Sequence, residues 1–343
     1  MYSGLSTAMG ADESCPSAVG PLDSRTMKFA PDLTTIRRAQ TLLAGYLPVT
    51  RMQVAPSLSS QGSPVYLKLE TDLPTGSFKP RGALYALAVN LARSKISEVT
   101  ASSTGNHGAA VAYAAKTLRV PATIFLPVNP NPVKRELIRA LGASIVETGS
   151  GDLAEAFRHA DEYSRKPGVY FLNDATDPDL PAGPGTIGLE VGDQVPQVAT
   201  VYVPMGDTAL IRGLAAALKQ LRPEVRVIGV QAQRAPSYYL SWKERRVVGT
   251  ETCDTCADGL ATRMPDADNV RVIRELVDDV VLVSEQQMLD AIKHLYTSES
   301  VLAEPAGAAA TAAYLAQPQP GPVVVVVSGA NISEDVKRQA GIA

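Results

Sequence analysis

Lys79 stands in Ser77-Phe78-Lys79-Pro80-Arg81-Gly82-Ala83, shortly after the strand-like run Val65-Tyr66-Leu67-Lys68-Leu69-Glu70. A lysine wedged between phenylalanine and proline, on a turn into an Ala/Leu-rich segment, is badly placed as a solvated surface charge. The same neighbours suit a buried amine held partly unprotonated, which is the state that imine formation requires. Most lysines lie on surfaces, so the assignment depends on what accompanies this one. Three further loops do. Ser102-Ser103-Thr104-Gly105-Asn106-His107-Gly108 joins a strand to a helix of small residues and offers backbone amides and hydroxyls at a helix start, a nest for a carboxylate or phosphate. A Ser/Thr cap alone does not require the whole Ser-Thr-Gly-Asn-His-Gly run. Val203-Pro204-Met205-Gly206-Asp207-Thr208-Ala209-Leu210 is a second strand-to-helix loop, able to hold a phosphate on the amides from Gly206 to Ala209, although it is no Walker motif. Val327-Ser328-Gly329-Ala330-Asn331 closes the final strand with a hydroxyl that can face a ring nitrogen or simply cap a turn.

The elements that must position these loops alternate between strand and helix. Strands are expected at 65–70, 98–101, 122–126, 144–147, 169–172, 200–203, 225–230 and 323–327. Helices are expected at 81–93, 108–118, 132–141, 152–165, 186–193, 208–221, 284–296 and 307–315. Many of the strands are short apolar runs without alternation, as in sheets covered by helices on both faces. The pattern predicts an α/β fold with open, mostly parallel sheets. Ligands in such folds sit beyond the carboxyl ends of strands, where the four loops lie.

The chain has 343 residues, 45% hydrophobic and 20% charged, with a net charge of −3. That length accommodates about two domains. The charge gives no electrostatic case for nucleic acid or an anionic membrane as partner, and no apolar run approaches the ~20 residues of a membrane span. Residues 1–30 are rich in Ser, Gly, Ala and Pro and lack a basic start followed by an apolar stretch, so they read as a flexible lead-in. Three cysteines, Cys15, Cys253 and Cys256, are too few for a disulfide framework and point to a cytoplasmic setting. Cys253-Asp254-Thr255-Cys256 has redox or zinc spacing, but His107, His159 and His294 are scattered in sequence, so the pair reads as loop cysteines and no metal site is expected.

Taken in order, several motifs resemble the serine/threonine dehydratase group of pyridoxal-phosphate (PLP) enzymes with the tryptophan synthase β-like fold. They are Ser77-Phe78-Lys79-Pro80-Arg81-Gly82-Ala83, Ser103-Thr104-Gly105-Asn106-His107-Gly108, Ala182-Gly183-Pro184-Gly185-Thr186-Ile187-Gly188-Leu189-Glu190, Ala257-Asp258-Gly259-Leu260-Ala261, Glu304-Pro305-Ala306-Gly307-Ala308 and Ser328-Gly329-Ala330-Asn331. The resemblance spans about residues 45 to 335. It implies two open, mostly parallel sheets flanked by helices. The larger, PLP-binding domain would comprise residues 31–97 and 173–343, and a smaller substrate-loop domain residues 98–172. It further implies a homodimer.

The resemblance also implies residue roles. Lys79 forms the Schiff base with pyridoxal 5'-phosphate and shuttles the α-proton, and Phe78 packs beside the ring. Asn106 hydrogen-bonds the phenolic oxygen. Ser103, Thr104, Gly105, Asn106 and His107 hold the substrate carboxylate, with Thr104 also in the catalytic set. Gly206, Asp207, Thr208 and Ala209 occupy the phosphate loop, and Ser328 faces the pyridine nitrogen. A neutral serine there weakens the ring as an electron sink and favours β-elimination. The expected activity is dehydration and deamination of a β-hydroxy amino acid such as threonine, serine or a bulkier 3-substituted serine to a 2-oxo acid and ammonia. The alternatives are threonine synthase-like replacement, serine racemase-like chemistry and a non-catalytic PLP-binding protein.

This chain departs from the family in places. The phosphate loop of relatives is a run of glycines, here interrupted by Met205, Asp207, Thr208 and Ala209. An aspartate beside a phosphate dianion is unfavourable unless its carboxylate points away or caps the helix, and Thr208 would offset the loss by donating its hydroxyl. Racemases of this fold carry serine where this chain has Thr104, and threonine is bulkier and stiffer. Cation-binding relatives place a carboxylate near Gln231 and Ser237, and this chain has neither acid. Only a dozen residues follow Asn331, so feedback control through the appended regulatory domain of biosynthetic threonine dehydratases is not expected.

Overall fold

The computed structural model describes residues 30–103, 105–128, 132–149 and 153–343. Within them, in chain order, lie α1 (Leu33–Leu43), β1 (Met52–Val54), β2 (Val65–Leu69), α2 (Lys79–Arg93), β3 (Glu98–Ser102), α3 (Asn106–Leu118), β4 (Ala122–Leu126), α4 (Pro132–Ala140), β5 (Ser144–Glu147), α5 (Leu153–Ser164) and β6 (Val169–Phe171). There follow α6 (Ala182–Gln194), β7 (Thr200–Pro204), α7 (Ala209–Leu221), β8 (Arg226–Ala232), α8 (Ser237–Glu244), α9 (Ala267–Leu276), β9 (Asp279–Val283), α10 (Glu285–Glu299), α11 (Pro305–Ala316), β10 (Val323–Val327) and α12 (Glu334–Ala340). None of these helices is long and apolar enough to cross a membrane.

The strands form two sheets. One has six strands in the order β1-β2-β10-β7-β8-β9, the other four in the order β5-β4-β3-β6. Every pairing is parallel except β1 with β2. The centre of the larger sheet is β10, five consecutive valines of which every side chain is inaccessible to solvent. β-branched residues suit a pleated strand whose two faces are both covered. The cores on its two faces are separate: Val323, Val325 and Val327 pack with α10 and α11, whereas Val324 and Val326 pack with α6, α7 and α9. A third core joins α1, α2 and α3 to β3 and β4.

α6 and α7 approach closely because glycines face backbone. A side chain on Gly183 would fall 2.2 Å from the Arg81 carbonyl oxygen, and one on Gly213 would fall 2.1 Å from that of Pro181. The start of α2 is therefore pressed against the start of α6, and both open toward the carboxyl ends of the strands.

A buried charge cluster fixes α2 further. Arg81 donates from Nε and Nη2 to Glu70 at 2.8 and 2.9 Å, and from Nη1 and Nη2 to Glu190 at 2.6 and 2.9 Å. Lys68 Nζ donates to Glu190 at 2.5 Å, to the Thr50 carbonyl at 2.9 Å and to Gln194 at 2.8 Å. Burial works against the Arg81 guanidinium, yet the Glu70 and Glu190 carboxylates outweigh it and hold its pKa above the ordinary value. Two cations face two anions, which is the condition under which buried charges persist.

Some elements differ from the sequence expectation. α2 begins at Lys79 itself, so the lysine is the first residue of a helix and not part of a preceding turn. α6 begins four residues before the expected Thr186, with Gly183, Pro184 and Gly185 inside its first turn, where proline lacks no needed donor. α1, β1, α8, α9, β9 and α12 are additions.

Candidate active site

The Lys79 turn is tied to the end of β10. Phe78 N donates to the Ser328 carbonyl at 3.0 Å, Ser77 and Gly329 form an antiparallel bridge, and Ala330 N donates to the Gly76 carbonyl at 2.9 Å. Two other sequence motifs join the same knot. Glu304 N donates to the Gly329 carbonyl at 3.0 Å, and Asn331 Nδ2 donates to Asn106 Oδ1 at 2.8 Å and to the Thr75 carbonyl at 2.8 Å. Residues more than 200 positions apart in the chain are held within one hydrogen-bonded set.

They surround a cavity of about 130 Å³. Phe78, Lys79, Ser103, Gly105, Asn106, His107, Gly206, Asp207, Thr208, Ala209 and Ser328 all line it. Every site residue expected from the sequence is thus at one place except Thr104, which lies outside the described residues. Four carboxylates share the wall: Asp174, Asp207, Asp258 and Glu304.

Two uncapped helix starts point into this space. α3 begins after Gly105 and α7 after Thr208, and among the described residues neither has a side chain bonded to its first-turn amides. Such amides, with the helix dipole behind them, are anion sites. At α7 the loop presses against residues 258–260. A side chain on Gly206 would fall 2.1 Å from the Gly259 carbonyl oxygen, so only glycine fits. Thr208 takes the left-handed conformation, φ 70°, which exposes the following amides at a cost of order 1 kcal/mol for a β-branched residue. Its hydroxyl does not cap the helix and instead accepts from Arg212 Nε at 3.1 Å.

Asp207 resolves its own difficulty through Thr262, whose hydroxyl donates to Asp207 Oδ1 at 3.0 Å. Burial first, and then the Asp174 charge, push the Asp207 carboxyl up to about 6. Arg212 also donates to the Ala175 carbonyl at 3.0 Å.

Lys79 differs from its sequence expectation. Its side chain keeps 17% of its exposure, and it does not stand as a lone buried amine: Nζ donates to Asp174 Oδ2 at 2.7 Å. Burial alone would raise the Asp174 carboxyl, but the nearby His107 and Lys79 pull it below the usual carboxylate range. Burial pushes the His107 imidazole below its ordinary pKa. His107 donates from Nε2 to the Leu172 carbonyl at 2.8 Å, and its Nδ1 has no hydrogen-bond partner.

Asn106 is also more engaged than expected. Its amide nitrogen donates to Glu304 in a short contact while its oxygen accepts from Asn331. Lys134 of α4 reaches the same corner, bonded to Asp258 and 3.5 Å from Glu304. Burial works against its ammonium, but Glu304 and Asp258 hold its pKa above the ordinary value. Burial raises the Glu304 carboxyl.

Asp174, Arg212 and Lys134 have no counterpart in the sequence expectation. The available signal for Asp174 was position: Asn173-Asp174-Ala175 lies one residue beyond the end of β6, and loops at strand carboxyl ends carry ligands in this class of fold.

The model of the pyridoxal-phosphate-dependent enzyme family matches residues 44–329. An L-threonine ammonia-lyase of Geobacter sulfurreducens is 39% identical over 279 residues, covering 80% of this chain and 69% of the relative. One of Thermotoga maritima is 37% identical over 303 residues, covering 88% and 75%. Among solved structures, a threonine deaminase of T.th. superposes with a TM-score of 0.82 at 33% identity, covering 88% of this chain and 99% of that one. Maize serine racemase gives 0.86 at 28% identity, covering 91% and 97%. With motifs from one end of this span to the other gathered around a single cavity, the chain belongs to the pyridoxal-phosphate-dependent enzyme family.

Proposed function

We propose that the protein is an ammonia-lyase that removes water from L-threonine or L-serine and releases a 2-oxo acid and ammonia. The observation that carries the reading is Lys79 in one cavity with two uncapped helix starts, one for each of two anions. Relatives named L-threonine ammonia-lyase at 37–39% identity support it.

The cavity fits the cofactor. The α7 amides are uncapped, Gly206 leaves no side chain in their way, and the Ser102 hydroxyl is buried without a partner in the cavity wall. Gly206, Asp207, Thr208 and Ala209 would hold the phosphate through their backbone, Phe78 and Asn106 would flank the ring, Ser328 would face its nitrogen, and Lys79 would carry the covalent link. When bound, the cofactor supplies the electron sink for the carbanion left at Cα.

The chain's own residues do the rest. Ser103, Gly105, Asn106 and His107, with Thr104 between them, orient the substrate carboxylate at the α3 N-terminus. Lys79 Nζ takes the Cα proton, its approach set by the Phe78–Ser328 backbone tie. Lys134 of α4 pairs its single ammonium charge with two of the four carboxylates, Asp258 and Glu304. Departure of the β-hydroxyl gives an unsaturated amine that hydrolyses to the 2-oxo acid and ammonia.

We also propose the division into a unit of residues 98–172 and a larger unit of 31–97 with 173–343. The four-stranded sheet draws all its strands from within 98–172, which supports it. A cytoplasmic homodimer, expected from the family resemblance and measurable by light scattering, completes the proposal; the net charge of −3 supports the absence of nucleic-acid and anionic-membrane partners.

A panel of L- and D-threonine, L- and D-serine and bulkier 3-hydroxy amino acids tests the substrate. The expected result is 2-oxo acid and ammonia in equal amounts from the L-isomers of threonine or serine. Interconversion of L- and D-serine without 2-oxo acid would instead make the protein a racemase.

A further inference from the structure

We infer that Asp174 is the proton partner of Lys79, receiving the Cα proton from Nζ and delivering it to the departing β-hydroxyl. This rests on the ammonia-lyase reading and adds to it a catalytic residue that contacts the reacting nitrogen.

Three observations carry the inference. Lys79 Nζ and Asp174 Oδ2 are 2.7 Å apart, a distance at which a proton passes directly, and both residues line the cavity. The backbone beside Asp174 is held by α7 and α9 and by its own loop, so Asp174 is not the tip of a free loop. The neighbouring Ala175 carbonyl accepts from Arg212 Nη2 at 3.0 Å and from Asn269 Nδ2 at 2.9 Å, and Ala175 N donates to Asn173 Oδ1 at 3.0 Å. Finally, His107 Nδ1 is buried, unpartnered and 4.0 Å from the same Asp174 oxygen. Because Nε2 must donate to the Leu172 carbonyl, neutral His107 turns a lone pair toward the carboxylate. At 4.0 Å this nitrogen makes no hydrogen bond to Asp174, so among the described residues Lys79 Nζ is the group within proton-transfer distance of that oxygen.

The step balances within the site. The Cα–H bond breaks and its proton moves to Lys79 Nζ, while its electron pair becomes the Cα=Cβ bond. The Cβ–O bond breaks with its pair on oxygen. The proton passes from Nζ to Asp174 Oδ2 and on to that oxygen, which leaves as water. Lys79 and Asp174 return to their starting states, and no other reactant is needed.

Asp174→Asn tests this in the cofactor-loaded enzyme. The amide keeps the shape and a hydrogen bond to Nζ but cannot carry the proton. The expected result is an unchanged visible absorbance band, KM within threefold of wild type and kcat lower by about 100-fold or more, the scale of a lost general acid. In deuterium oxide, substrate recovered from the variant should gain deuterium at Cα faster than 2-oxo acid appears, because Lys79 still exchanges the proton while departure of the hydroxyl is slowed. Asp174→Glu, which keeps a carboxylate, should recover at least a tenth of the wild-type kcat. Wild-type kcat in Asp174→Asn would overturn the relay and leave the ammonia-lyase reading standing. Loss of the absorbance band in both variants would also overturn it, making Asp174 a residue of cofactor retention. Absence of 2-oxo acid from the wild-type enzyme with every amino acid would sink both readings together.

Discussion

Asp207 shows how a single residue reconciles a phosphate loop with a carboxylate. Asp207 sits between Gly206 and Thr208, and its carboxyl is half-buried, bonded to Thr262 and close to Asp174. Its pKa is raised from 3.8 to about 6 by burial first and Asp174 second. The unfolded chain releases this proton near the ordinary value while the folded protein holds it to about 6. Between those points the folded state binds more protons, so its stability falls as pH rises, and the penalty is complete above about 6. Asp207→Asn removes the titration. In the cofactor-free protein, urea unfolding should show the variant gaining on wild type between pH 4 and pH 7 by up to roughly 3 kcal/mol. A difference that stays constant across that range would reject the assignment.

At this scale the sequence reveals residue types but not partners. The Phe-Lys-Pro setting marks Lys79 as unusual, and Asp207 stands out against a glycine-rich pattern. That Asp174, 95 positions away, meets Lys79 depends on how β6 ends beside the start of α2, which no local pattern records.

Among the elements, α2 matters most because its first residue is Lys79. It is anchored from below by Arg81, two residues on, in a cluster where Lys68, Glu70 and Arg81 are 0 to 2% exposed and Glu190 is 6%. Removing one member leaves the others charged and unpaired. Arg81→Ala should therefore cost about 3–5 kcal/mol in chemical denaturation. Arg51→Ala, which breaks the Arg51–Asp72 pair where the arginine is 67% exposed, should cost less than about 1 kcal/mol. Equal losses from the two would contradict the ranking.

Elements with a strong period or a β-branched run were readable from sequence. β10, β7, α3 and α7 lie within a residue or two of their expected bounds, because an apolar run bounded by Gly or Pro leaves few alternatives. α6 was harder. Its first turn contains Gly183, Pro184 and Gly185, which look like a loop, and the helix forms there because those residues admit the backbones of Arg81 and α7. α1 and α9 carry many charged or polar residues around short apolar stripes, and tertiary packing decides them more than propensity does.

On the scale of the whole molecule, two mostly parallel sheets bring strand ends and helix starts together at one cavity. The fold class and the loops that build the site follow from strand–helix alternation and from the ordered motifs, and family membership follows from their span. The electrostatic arrangement of the cavity emerges only when both sheets are in place, because Lys134, Asp174, Asp258 and Glu304 come from four separate segments.

The proposed function rests on Lys79 as the group that carries the cofactor and starts elimination. The direct measurement is release of 2-oxo acid from L-threonine and L-serine by the cofactor-loaded protein and by Lys79→Ala prepared with the same cofactor. Wild type should yield 2-oxo acid and ammonia in equal amounts, and Lys79→Ala should lose at least about 1,000-fold in kcat together with the covalent link, since one residue serves as both anchor and base. Elimination by Lys79→Ala at a rate near that of wild type would contradict the account.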